Sequence, residues 1–259
     1  MDGWSVHPVA AGVAGVLGLL LGSFNNVLIY RLPRGESVVR PGSRCPACGH
    51  VLRWWENVPL LSFVVLRGRC SSCPAAIPWR YPLVEALTAA GVMYAYARYG
   101  ISWAGLTSAA LAFLLVPVFF IDLEHRIIPD RITLPGIVLG LVLSFARAGA
   151  KGVEQAMMAA LGAGVFFLAV AVLSKGGMGG GDVKLAAMLG AFTDPVRVGV
   201  GVFAGILAGG AVGLWLLATG RKARKDVIPF GPFLAAGGFV GSEWGRELLA
   251  WYFAWYPRV

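Results

Sequence analysis

Apolar residues run through this chain in long blocks separated by short polar stretches. The blocks lie at about 9–30, 82–99, 103–121, 132–147, 155–174, 178–193, 198–218 and 229–255. Most of them hold roughly 18 or more mostly apolar residues, enough for a helix to cross a hydrocarbon core about 30 Å thick. The pattern predicts an all-α polytopic membrane protein with about eight transmembrane helices. The sixth block, MGGGDVKLAAMLGAFT, is short and opens with glycines and a charge, so it needs separate support.

Composition agrees with that class. Hydrophobic residues make up 58% of the chain and charged residues 14%, with a mean hydropathy of +0.73. A soluble domain carries about a quarter charged residues. The 36 glycines fit close helix packing in lipid.

Charge then sets the topology. Arg31, Arg34, Arg40, Arg44, Arg53, Arg67, Arg69 and Arg80 fall between the first two blocks. Lys and Arg collect on the cytoplasmic side, so this loop is cytoplasmic and the N-terminus lies outside. The next basic loop, RKARKD at 221–226, also falls inside with eight spans but outside with seven. That supports the short sixth span. The N-terminal MDGWSVHP has no Lys or Arg before the apolar run, so the first block reads as a true span and not a removable signal. The net charge of +9 concentrates in the first loop, where orientation and anionic lipid account for it without a nucleic-acid partner. Three regions follow: a first helix at 1–30, a cytoplasmic loop at 31–80 and a membrane-embedded core at 81–259.

All four cysteines lie in that loop, as CPAC at 45–48 and CSSC at 70–73. The cytoplasm keeps thiols reduced, which argues against disulfides. Paired Cys-x-x-Cys units offer four thiolates to a tetrahedral zinc ion, so Cys45, Cys48, Cys70 and Cys73 are the expected structural metal ligands. Free thiols or a redox pair is the plainer alternative. Gly49 permits a tight turn that aims amides at the sulfurs. The chain between the pairs is too short to bury a core of its own, and a metal would staple it. His50 reads as a loop residue, with a substitute ligand as the alternative.

Two acidic positions stand out next. With eight spans, the third ends at IDLEHRIIPD, which puts Asp122 at its cytoplasmic end, and Asp182 follows Gly179-Gly180-Gly181 at the cytoplasmic start of the sixth. Two carboxylates at one depth on one face cannot both ionise cheaply, and a pair that shares a proton can activate water against a peptide carbonyl. The plainer reading is that both mark helix ends. It suits Asp182, where a negative charge complements the helix dipole, but not Asp122 at a C-terminal end. Asp130 resembles an N-cap of the fourth span, Glu124, His125 and Arg126 read as solvated loop, and Lys184 either biases the pair or reaches to the headgroups. On these grounds a protease pair competes with a proton or ion pathway.

Several stretches together resemble the type IV prepilin peptidase family. They are GSFNNVLIYRLP at 22–33, the two Cys pairs, WRYPLVEALTA at 79–89, IDLEHRIIPDRITLP at 121–135, GMGGGDVKLAAMLGA at 177–191 and IPFGPFLAAG at 228–237. The resemblance implies an intramembrane aspartic protease of the bacterial inner membrane, with Asp122 and Asp182 catalytic. Its expected substrates are prepilins or pseudopilins, cut after a glycine at the cytoplasmic edge of their hydrophobic helix. The Cys-rich loop implies, in addition, N-methylation of the new terminus with S-adenosyl-L-methionine as donor. Asn25 departs from the family, which commonly has an apolar residue there, and is expected to be buried against another helix. The rival from another class, a transporter or channel with a zinc-ribbon docking module, calls for ionisable groups at mid-membrane depth. These are scarce here.

Overall fold

The computed structural model describes residues 7–174, 178–221 and 228–255. The N-terminal MDGWSV, Gly177 of the glycine-rich motif and most of the basic RKARKD loop lie outside the described residues. Among the described residues the regular structure is helical, with two isolated bridges and no strand. Packing divides the chain into two compact units, Met1–Pro117 and Val118–Val259.

In the first unit, α1 (Pro8–Arg31) starts on a proline whose missing N–H costs nothing at that position. It packs against α3 (Arg80–Tyr99) through glycines. A Cβ at Gly18 would lie 2.6 Å from Ala89 Cα, one at Gly22 2.6 Å from Glu85 Cα, and one at Gly15 3.3 Å from the Met93 sulfur. The pairing runs in opposite senses along the two helices, so they are antiparallel. Asn25 is fully buried, as expected, and donates to Thr88 Oγ1 at 3.1 Å and to the Phe113 carbonyl at 3.2 Å. The loop between the helices carries a 3₁₀ turn at Trp54–Asn57 and a short helix, α2 (Leu61–Val65).

Helix α4 (Trp103–His125) contains Pro117, where the contact division falls. Glu124 and His125 form its last turn, so the helix runs further than the loop reading of those residues. α5 (Asp130–Leu173) is one 44-residue helical element interrupted at Ala148 and Gly149, the glycine at φ +61°. Asp130 is its first residue, and Pro129 takes the cap position assigned to Asp130 from sequence.

The interruption in α5 is a reversal. Across it, the side of α6 (Gly180–Phe192) that meets 140–144 runs parallel to the first half. Gly181 approaches Ile128, Gly140 approaches Ala191, and Ser144 Oγ donates to the Ala191 carbonyl at 3.1 Å. Against the second half, α6 runs the other way: Gly190 touches Ala159 and Ala160, and Gly164 touches Ala187. The halves 130–147 and 150–173 are therefore antiparallel and coincide with the fourth and fifth apolar blocks. α6 itself has 13 residues, about 20 Å of helix. Leu185, Ala186, Met188 and Leu189 on it have no exposed surface.

α7 (Pro195–Ala218) and α8 (Gly231–Ala254) form a second antiparallel pair along a glycine seam. A Cβ at Gly237 would lie 2.5 Å from the Gly201 carbonyl and from Gly205 N, and one at Gly241 2.5 Å from Gly201 Cα. Small residues four apart let two backbones touch where no side chain fits.

Among the described residues, four helical stretches are long and apolar enough to cross a membrane: Pro8–Arg34, Trp103–His125, Asp130–Leu173 and Pro195–Ala218. α3 and α8 have the length but are less apolar. Val13, Leu17 and Leu20 on α1, Val138, Val142 and Phe145 on α5, and Phe203, Leu207 and Leu214 on α7 are exposed. Apolar surface of this kind fits contact with lipid, and the chain is a multi-pass membrane protein.

Candidate active site and cysteine cluster

Three separate segments of the second unit meet at one end. Asp122, at the end of α4, is 5% exposed, and its Oδ2 accepts a hydrogen bond of 2.9 Å from the Gly231 amide at the start of α8. Asp182 is in the first turn of α6, half-buried, and its Oδ2 accepts from Gly179 N at 3.3 Å. In return, Asp182 N donates to the Gly179 carbonyl at 3.1 Å. The Asp122 and Asp182 carboxyl groups are near enough to interact through their charges.

Glycines make this end possible. A Cβ at Gly231 would stand 2.6 Å from Asp122 Oδ2, inside the contact limit, and one at Gly181 would stand 2.9 Å from Ile128 Cβ. Gly231 therefore supplies the amide and leaves space for the carboxylate at once. Sequence reasoning missed it as a site residue. Its signal in the sequence is its place in IPFGPFLAAG, a stretch that resembles the family. Lys184 is engaged elsewhere: it bridges both oxygens of Asp130 at 2.7 Å, tying the start of α5 to α6. The Asp130–Lys184 pair is half-exposed and acts as a clamp between these two helices.

The opposite end of this unit is closed by different chemistry. Asp194 caps α7 by accepting from Val196 N and Arg197 N, each at 3.1 Å, and pairs with Arg246 of α8 at 3.0 Å. The carboxylates of interest thus share one end, and the helix-capping acid sits at the other.

In the first unit the four cysteine sulfurs lie within 4.8 Å of one another. Cys45 and Cys73 are 3.9 Å apart, and Cys48 and Cys70 4.0 Å. Four thiolates about 2.3 Å from one zinc ion would have sulfurs about 3.8 Å apart at tetrahedral angles, so the set fits that ion. Each pair sits on a matching turn. Cys45 N donates to the His50 carbonyl and Gly49 N to the Cys45 carbonyl, both at 2.9 Å, with Gly49 at φ +73°. Cys70 N donates to the Ala75 carbonyl at 3.0 Å, and the Cys70 sulfur accepts from Ser72 N at 3.4 Å. The Cys48 amide holds the Cys45 thiol down to about 7, whereas burial and the neighbouring thiols push that of Cys73 up to about 12.

His50 is engaged outside the sulfur cluster and does not stand in for one of its ligands. Its Nε2 meets Glu56 Oε2 at 3.1 Å, and the same oxygen accepts from Arg53 N at 2.6 Å. A hydrogen bond from Ser71, with the Arg53 amide next in weight, holds the Glu56 carboxyl down to about 2. Glu56 thus fastens the segment between the cysteine pairs to the second turn.

Comparison with known proteins covers both units. The model of the bacterial peptidase A24 N-terminal domain matches residues 16–99, and that of the type IV leader peptidase family matches residues 109–214. The chain is 45% identical over 228 residues to the prepilin leader peptidase/N-methyltransferase of Myxococcus xanthus (strain DK1622), covering 84% of this chain and 67% of that one. To the protein of the same name from Pseudomonas aeruginosa it is 35% identical, over 97% of each. To that of Pseudomonas putida it is 37% identical over 92% of each. No solved structure matches. With relatives this similar over most of their length, the chain belongs to the type IV leader peptidase family.

Proposed function

We propose that this protein is a prepilin leader peptidase that cuts the basic leader of type IV prepilins or pseudopilins and methylates the new N-terminus. The observation that carries the peptidase reading is the meeting of Asp122, Asp182 and the Gly231 amide at one end of the second unit. The relatives named for this activity support it, and none of them supports transport.

In this reading Asp122 and Asp182 share one proton. The ionised carboxylate takes a proton from water as the oxygen attacks the scissile carbonyl, and the protonated one donates to the carbonyl oxygen as its negative charge develops. The Gly231 N–H fixes Asp122 Oδ2, so one oxygen of that carboxyl is oriented before substrate arrives. Gly179, Gly180 and Gly181 put no side chain beside Asp182, which leaves room for an extended peptide. The reaction needs no metal and no covalent intermediate.

Eight spans are the topology we favour, with the N-terminus outside and the aspartates at the cytoplasmic face of the bacterial inner membrane. Supporting this are the reversal within α5, which makes two segments of one element, and the Arg-rich first loop. Zinc held by Cys45, Cys48, Cys70 and Cys73 would be structural, since four thiolates leave no open position. S-adenosyl-L-methionine would supply the methyl group.

The test is incubation of the purified protein with a synthetic prepilin in detergent, with the product N-terminus read by mass spectrometry. Cleavage with one added methyl group is expected. An intact prepilin would overturn the peptidase reading, and cleavage without a methyl group would overturn only the second activity.

A further inference from the structure

We infer that the methyl donor binds in a cavity of the first unit between the end of α1, the start of α3 and the cysteine turns; this rests on the methyltransferase reading above. The cavity holds about 540 Å³, within the range of about 300–1,000 Å³ typical of small-molecule sites. It is built mainly from the loop and the two helix ends, and it lies wholly within Met1–Pro117.

Its wall contains a polar atom without a partner. Asn26 lines the cavity, is 4% exposed, and uses Nδ2 to donate to the Tyr81 carbonyl at 3.0 Å. Its Oδ1 is buried and accepts no hydrogen bond. A buried amide oxygen left this way is costly, and a ligand N–H is what would relieve it. An adenosyl donor has such groups in the adenine amine and the amino-acid ammonium.

The rest of the wall suits a sulfonium zwitterion. Glu85, 8% exposed, and Glu36 supply carboxyl groups, and Arg44 supplies a guanidinium for a carboxylate. Carboxyl groups hold an ammonium, and a guanidinium holds a carboxylate, by charge-assisted hydrogen bonds. Glu85 is also held in place: its Oε2 accepts from Leu60 N at 2.8 Å, which pins a loop residue at φ +58°. The Arg31 guanidinium is engaged by the Ser37 and Gly42 carbonyls and closes the loop over the end of α1. Cys45 and Cys70 border the same cavity. A metal there would shape the donor site, and this gives the cysteine loop a reason to accompany the second activity.

The transfer is balanced without a further reactant. The lone pair of the new terminal amine forms the N–CH₃ bond as the S–CH₃ bond breaks, the electron pair stays on sulfur, and a proton of the resulting ammonium passes to water.

The experiment uses the whole protein in detergent, with binding of S-adenosyl-L-methionine and S-adenosylhomocysteine read by calorimetry. Two variants are compared with wild type: Asn26→Leu, which removes the buried acceptor, and Ala76→Trp, which fills the cavity from an exposed lining position. Both should weaken binding by at least about tenfold, equivalent to about 1.4 kcal/mol, while zinc content and prepilin cleavage stay at the wild-type level. Either variant that keeps its zinc and binds the donor as wild type does would overturn the inference. A wild-type protein that binds no donor and leaves its product unmethylated would instead remove the methyltransferase reading on which the cavity assignment stands.

Discussion

Cys45 and Cys48 are brought together by one turn of chain, whereas Asp122 is held by a glycine amide 109 residues further on. The cysteine cluster is a local object: two short turns, each with its own backbone hydrogen bonds, closed on each other by Glu56, His50 and four convergent sulfurs. The aspartate end is a product of helix packing, in which α4, α6 and α8 each contribute a terminus. A local site fails when its own loop fails. A packed site fails when any helix that frames it moves, however well its own residues are preserved.

The largest effect that would test this contrast is loss of a carboxyl group. Asp122→Asn and Asp182→Asn should each abolish prepilin cleavage in inserted protein while zinc content is unchanged. The double variant should be hardly worse than either single one, because the two act in one step. Asp→Glu at either position moves the carboxyl by about one methylene, and a misplacement of about 1 Å costs roughly 100-fold. Near-normal cleavage by either Asn variant, followed by gel shift of the prepilin, would remove the catalytic assignment.

Gly231→Ala comes next. The added Cβ would lie 2.6 Å from Asp122 Oδ2, so the carboxyl or the start of α8 must shift. Cleavage should fall by about 100-fold on the same positional argument, with the protein still inserted and its cysteine loop still folded. If kcat is unchanged, the amide does not position Asp122.

On the other side of the comparison, Cys→Ser changes or chelation should release one zinc per chain and loosen the loop. Methylation should suffer more than cleavage, a split that mass spectrometry of the product would show directly. Equal, complete loss of both activities in stably inserted protein would mean that the two sites are not separable.

Smaller effects follow for the groups that fasten each site. Glu56 titrates at about 2 in the folded loop against 4.5 ordinarily, so its contribution to loop stability is complete above about pH 4.5 and is lost as pH falls towards 2. Across that window wild type should lose more loop stability than Glu56→Gln does, measured by zinc release or Trp fluorescence. Smallest of all is Asp130→Asn. It breaks a half-exposed pair with Lys184, worth about 0.2–1 kcal/mol, and should shift thermal stability slightly with cleavage largely retained.

The same contrast explains what could be read from the residues alone. Both cysteine turns are written in contiguous motifs, and the structure places all four sulfurs together. Asp122 and Asp182 were brought to one face only by counting spans, and the structure gathers them at one end of a helical unit. The hairpin within α5 was legible as two apolar blocks with a charged gap between them. The Gly231–Asp122 hydrogen bond was not, because a backbone amide leaves no trace in side-chain chemistry. Nor were the partners of Asn25: its burial could be expected from its place in an apolar run, but Thr88 and the Phe113 carbonyl depend on how three helices meet. Asp130 at the head of α5 read as a cap from Pro129 and the apolar run behind it. Its tie to Lys184 on another helix carried no local sign.

The brevity of α6 has a consequence for the way this protein meets different membranes. A helix whose Leu185, Ala186, Met188 and Leu189 are sealed among protein neighbours has no hydrophobic length to match against the surrounding acyl chains. α5 and α7, with broad exposed apolar faces, do, and they are the elements that tilt or stretch when the bilayer thickens or thins. α6 is held by its neighbours, Gly190 against Ala159 and Ala160 and Gly181 against Ile128, so these packing contacts set the height of Asp182. In the proposed reaction, the ruler that sets where a peptide is cut is then made of protein and not of lipid.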